Sequence, residues 1–182
     1  MPLIGSHASW NAWVRCSGWN RTSTRFHPAS PVTVVFSPSS TRTLRNPVST
    51  YGLSLWRWKD PGPPPRELCI TMRSSDPEWA KVPAVTVAAL RGMCPFDPGM
   101  VIGYMKPYVV GSRLSSLFLA TPPTELGLAE RIDLSTDPED SVEIVGAYPI
   151  HASERRFVHA RGAEALWGSR WDPFDPARPP AL

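Results

Sequence analysis

The sequence predicts an α+β domain with a mixed or antiparallel sheet and helices packed mainly on one face. Three observations predict it. Apolar, β-branched runs come in the order strands, helix, strands, helix, without the βαβ alternation of a doubly wound sheet. Proline is abundant, with 22 residues in 182, which argues against a helical bundle because proline removes a donor and clashes inside helices. Hydrophobic content is ordinary at 42%, so the chain can bury a core without disulfides or metals.

Residues 1–30 differ from the rest. Trp10, Trp13 and Trp19 stand among polar residues with no sustained period. This segment reads as a poorly ordered extension, or as the result of a start codon assigned too far upstream. Residues 31–180 form the domain. Val32–Phe36 is β-branched and aromatic, hence a strand. Pro47–Leu55 alternates partly and makes a second strand, its proline at the start, where a strand tolerates one. Asp60–Pro65 is a proline-rich linker, and Glu67–Met72 the third strand. Short connections make these three an antiparallel meander.

The main helix is predicted to run from Pro83 to about Met93. Starting it at Asp76-Pro77 would place Pro83 inside, at a cost of about 3 kcal/mol. Val82, Val85, Ala89 and Met93 then share its inner face. After the Pro95–Gly99 turn come strands at Met100–Met105 and Leu114–Ala120, then a loop over Thr124–Thr136 and an acidic turn at Asp137–Asp140. Val142–Tyr148 reads as a strand covered on both faces, stopped by Pro149. Ser153 is the expected cap of a following helix, with Phe157 and Ala160 inward. Gly162 suits the helix end, where positive φ is cheap. Beyond Gly168 the prolines predict an extended tail.

The formal net charge is only +3, and the arginines are scattered rather than clustered as in a nucleic-acid binder. No apolar stretch reaches the length of a membrane span. Cys16, Cys69 and Cys94 have no metal or disulfide spacing, and Cys69 sits in an apolar run. Free thiols and the lack of a leader suit the cytoplasm. No cofactor motif occurs: Gly99 and Gly103 lack the lysine and third glycine of a phosphate loop.

Two readings of the chemistry are open. Glu154 and His151 could form an acid–base pair in a hydrolase-like enzyme, which needs both side chains about 3 Å from each other or from a shared water. Alternatively Glu154 is structural, favoured by the helix dipole, anchoring the loop after Pro149 or pairing with Arg178. Asp172 and Asp175 precede prolines and read as turn residues. The eight tryptophans are the one positive compositional hint. Any left exposed would be an anchor for a protein partner.

Around Val142–Leu166 the sequence resembles the suppressor of fused family. The pattern comprises Gly146, then Tyr148-Pro149-Ile150, Glu154, Phe157, Gly162 and Ala165-Leu166. It closes on Asp175-Pro176-Ala177-Arg178-Pro179. Upstream, Pro47–Ser54 with Gly52 and Ser54, Glu67-Leu68, Trp79 with its helix, and Pro98-Gly99 match in the same order. Met100 stands where the family places a histidine. The resemblance spans roughly Val32 to Pro180. It implies an α+β domain without known catalysis. In animals such a domain sequesters a transcription factor in Hedgehog signalling, within a larger protein that has a second domain. The Arg-, Pro- and Ala-rich composition looks bacterial, and bacterial members resemble immunity proteins that neutralise toxins. The expected partner is therefore a protein, a nearby-encoded toxin or a transcription factor, and not nucleic acid or membrane.

Overall fold

A computed structural model describes residues 33–36, 46–51, 54, 62–104, 106–137 and 140–182, with only the backbone at 33–36 and 46–51. The expectations for residues 1–30, and for Gly52, lie outside these residues. One sheet of seven strands organises the described chain: β1 (Thr33–Phe36), β2 (Asn46–Tyr51), β3 (Arg66–Met72), β4 (Val101–Gly103), β5 (Ser116–Ala120), β6 (Arg131–Asp133) and β7 (Ser141–Ile150). Three helices accompany it: α1 (Glu78–Leu90), α2 (Ala152–Arg161) and α3 (Ala163–Trp167). The α+β class and the mixed sheet are as the sequence implies. β1, β2 and β3 form the antiparallel meander, β3 runs parallel to β7, and every other pairing is antiparallel.

β7 is the spine, in the order β1-β2-β3-β7-β5-β4. Its first half pairs with β3 on one edge and β6 on the other; its second half pairs with β5. This explains why β7 does not stop before Pro149. Pairing with β3 ends at Gly146. From there one edge has no ladder, and a residue without an N–H is tolerated. Pro149 pairs with Leu117 as the penultimate residue of the strand. β6 lies in the stretch read as loop. It is three exposed residues long, too short and polar to show a period of two.

The helices divide between the two faces rather than gathering on one. Side chains alternate across a strand, and the two core clusters follow that alternation. Leu68, Ile70, Val145, Ala147, Leu117 and Leu119 meet Trp79, Val82, Val87 and Leu90 of α1. Val101, Phe118, Tyr148 and Ile150 meet Val158 of α2, Leu166 of α3 and Phe174 of the C-terminal segment. A strand covered on both faces has no side without a helix to bury it.

Helix α1 starts five residues before Pro83, which is interior. The missing N–H is offset by burial. Trp79, Ala80 and Val82 of the first turns are all in the core, at roughly 1.5–3 kcal/mol for each large side chain. The buried stripe is Trp79, Val82, Pro83, Thr86, Val87 and Leu90, spaced i, i+3, i+4. Val85, Ala89 and Met93, expected inside, are exposed. The longer helix sets its face by Trp79 together with Val82 and Val87. Gly99, at φ +90, turns the chain into β4, and its N–H donates to the Leu119 carbonyl at 2.6 Å.

Candidate functional site: a buried ionic lock beneath an exposed tryptophan

Helix α2 begins at His151, not at Ser153. His151 is extended and non-helical, as an N-cap must be, and Ser153 falls in the first turn. Glu154 is then the third helical residue, where a carboxylate can reach back to the cap. It does so: the His151 N–H donates to Glu154 Oε2 at 2.8 Å. The helix turns Glu154 and Val158 inward, while Phe157 is half-buried and Ala160 exposed.

Glu154 is fully buried, at 0% exposure. Arg178 meets it with a two-pronged contact, Nη1 to Oε1 at 2.5 Å and Nη2 to Oε2 at 2.7 Å. The Ala181 N–H adds a fourth donor, to Oε1, at 2.8 Å. Burial alone raises the carboxyl pKa. The Arg178 hydrogen bonds, the N–H groups of Ala181 and His151, and the guanidinium charge outweigh it and hold the group below its ordinary value. Arg178 Nη2 also donates to the Pro149 carbonyl at 3.2 Å, on the edge of β7 that β3 leaves free. The guanidinium lies over the Trp171 ring, 4.6 Å from its centroid. His151 Nε2 is 3.1 Å from the Arg178 carbonyl oxygen. The lock therefore ties the end of β7, the start of α2 and residues 178–181 together. The C-terminal segment is a closing strap rather than an extended tail. Phe174 is buried against Tyr148, and its carbonyl accepts from the Arg73 N–H at 2.8 Å.

This geometry overturns the acid–base reading of Glu154 and His151. Both Glu154 oxygens are saturated by donors, and His151 Nε2 faces a backbone carbonyl. A general base needs a lone pair facing a substrate proton; Glu154 has none to offer, and the His151 ring is buried.

The other expected residues fall into two groups. Tyr148, Pro149, Phe157, Gly162, Leu166 and Asp175 lie on or beside β7, α2, α3 and the C-terminal segment, and Arg178 is itself half of the lock. The Tyr148 hydroxyl donates to the Thr121 carbonyl at 2.7 Å, and its ring crosses Gly146, where a Cβ would come within 2.7 Å of it. Burial, then the charge of Glu125 and of Cys69, raises the Tyr148 pKa far above its usual value. Asp175 Oδ1 accepts from the Ala177 N–H at 2.9 Å and forms a turn just before Arg178. Gly162, at φ +88, ends α2 and starts α3. Ser54, Glu67, Trp79 and Gly99 lie elsewhere. Ser54 donates from both Oγ and N to Glu67 Oε1, at 2.6 and 2.9 Å, which pins the chain after β2 to buried β3. Trp79 is in the core under α1.

Sequence reading missed Arg66 and left Trp167 open between a core residue and an exposed anchor. Arg66 at the start of β3 is buried and binds Glu143 Oε2 at 2.9 Å, Asp97 Oδ1 at 2.5 Å and the Pro95 carbonyl at 2.9 Å. A charge heading an otherwise buried strand was the available signal. Trp167 is 45% exposed, yet packs on Tyr148, Trp171 and Phe118 with ring centroids at 5.0, 5.6 and 5.7 Å.

The sequence model of the suppressor of fused protein family matches residues 45–179. The chain belongs to the suppressor of fused family. Solved structures agree on the fold. A SUFU homolog from Neisseria gonorrhoeae aligns with a TM-score of 0.64 at 18% identity, covering 94% of this chain and 89% of its own. A chain of the Sufu–Fu complex aligns at 0.61 and 13% identity, covering 82% of this chain and 76% of its own. Drosophila Suppressor of Fused gives 0.60 at 12% identity, but this chain spans only 42% of its length. Among curated proteins none matches the sequence. The matched span includes Glu154 and Arg178, the two charged partners of the lock. No helix among the described residues is long and apolar enough to cross a membrane.

Proposed function

We propose that this chain is a non-catalytic protein-binding domain of the suppressor of fused type. The observation that carries the reading is Trp167, half in solvent but held by three aromatic rings. A rigid exposed tryptophan offers large contact area at little entropic cost on binding, the usual character of an interface hot spot. The lock beneath supports the same reading, since it spends the one buried carboxylate of the helix on holding the surface still. A related chain occurs in a Sufu–Fu complex, which supports a protein as partner. In its narrower form, the partner is a toxin encoded beside this gene in a bacterium, neutralised in the cytoplasm. A transcription factor held in check is the alternative partner.

The test is co-expression with the products of neighbouring genes, followed by size-exclusion chromatography and calorimetry. A one-to-one complex with no turnover of the partner is expected, and Trp167→Ala should weaken it by about 2 kcal/mol, roughly thirtyfold. A complex indifferent to Trp167→Ala would remove this surface from the reading. Consumption of the partner or of a small substrate would overturn the non-catalytic assignment.

A further inference from the structure

Charge is divided between the two ends of β7. At its Ser141 end, around β6, Glu130, Asp133, Asp137 and Asp140 are all exposed, with Arg131 paired to Asp133 as the cation among them. At its Ile150 end lie the start of α2 and the hairpin joining β4 to β5, because Gly103 pairs with Ser116 and Ser116 with Ile150. Those elements carry Lys106, Arg113, Arg155 and Arg156. Among the described residues, none of these four has an ion pair or a hydrogen bond from its side chain.

The helix dipole does not favour this arrangement. Arg155 and Arg156 are the fourth and fifth residues of α2, near the end where the helix dipole disfavours cations. Glu154, next to them in sequence, does not face them on the helix and is held by Arg178. Arg155 is nevertheless held in place. Its guanidinium lies against Gly103, so closely that a Cβ there would fall 1.7 Å from Nη1. Ser116, the ladder partner of Gly103, has a buried hydroxyl with no hydrogen-bond partner. The guanidinium thus has a seat and no acceptor.

We infer that the Ile150 end of the sheet, built from Lys106, Arg113, Arg155 and Arg156, is the part of the interface that receives an acidic segment of the protein partner. The inference rests on the protein-binding reading and specifies the chemistry of the partner. Carboxylates match a pre-positioned guanidinium two oxygens at a time. The acidic opposite end orients an approaching acidic chain toward the basic one. A polyanion tracking the whole molecule, such as nucleic acid, would be repelled by that acidic end.

The test uses the full chain and a fluorescent poly-glutamate peptide, with a poly-thymidine oligonucleotide for comparison. The peptide should bind, and more weakly as salt rises. Arg155→Glu with Arg156→Glu should weaken it tenfold or more, and so should Lys106→Glu with Arg113→Glu, whose exposed sites leave folding intact. Glu130→Lys with Asp140→Lys should not weaken it. No peptide binding, or equal binding by the charge-reversed variants, overturns the inference, as does tighter binding of the oligonucleotide. A one-to-one protein complex that survives the charge reversals overturns this inference alone. Absence of any protein complex removes the wider reading as well.

Discussion

The two faces of the sheet are closed by different physics. On the α1 face, Leu68, Leu117, Leu119 and Val145 meet Trp79, Val87 and Leu90, and closure is apolar side chain against apolar side chain. On the other face, aromatic packing is joined by a buried carboxylate and guanidinium that fix the strap in one register. Apolar contacts are tolerant of direction; the two-pronged contact of Arg178 with Glu154 is not. The difference teaches where specificity is built. The α1 face supplies bulk stability, while the α2 face spends desolvation energy to hold Trp167 and the strap in a defined position.

The largest expected effect follows from removing one partner of the lock. Arg178→Ala leaves a carboxylate buried without its counter-charge, and should cost about 3–5 kcal/mol in urea unfolding at neutral pH. Leu117→Ala on the α1 face should cost a similar amount, about 2–5 kcal/mol, by opening a cavity. Equal sizes do not blur the comparison, because only the first should alter the pH dependence.

Next comes the crowding between Gly146 and Tyr148. A methyl group at Gly146 would meet the Tyr148 ring at 2.7 Å and the Thr121 carbonyl at 2.8 Å. The carbonyl belongs to backbone and gives little. Gly146→Ala should destabilise by about 1–3 kcal/mol, with loss of the Tyr148–Thr121 hydrogen bond visible as a changed tyrosine absorption. A neutral result would mean the α2 face yields as easily as an exposed loop.

The smallest expected effect is that of mild acid. Glu154 has a folded pKa below its ordinary value of 4.5. Its contribution is therefore fully present above about pH 4.5 and is lost as pH falls through the folded value. Thermal unfolding from pH 7 down to pH 3 should show a fall that Leu117→Ala retains and Glu154→Gln loses in part. A parallel fall in all three proteins would assign the acid sensitivity to other carboxylates.

Much of this contrast was legible in the sequence, and the rest was hidden for identifiable reasons. The meander, β5 and β7 follow from β-branched runs, and the alternative of Glu154 paired with Arg178 was visible from a helix-start carboxylate and a lone arginine among prolines. Pro83 misled because propensity is local, whereas the burial of Trp79 that overrides it is tertiary. His151 replaced Ser153 as the cap because the decisive bond runs from backbone to Glu154, which no side-chain preference at the cap position reveals. The strap looked like a tail because its order comes from Phe174, Trp171 and Arg178 docking on distant elements, and prolines record only the absence of regular hydrogen bonding. The unpaired arginines of α2 were visible as letters, but the seat at Gly103 belongs to the fold.

The central claim is that Glu154 and Arg178 act on the fold through each other. A double-mutant cycle with Glu154→Leu, Arg178→Met and the pair, followed by urea unfolding at pH 7, tests it directly. Each single variant should be strongly destabilised and the pair much less than their sum, with a coupling of about 2 kcal/mol or more. Additive losses, with a coupling within about 0.5 kcal/mol of zero, would contradict the lock.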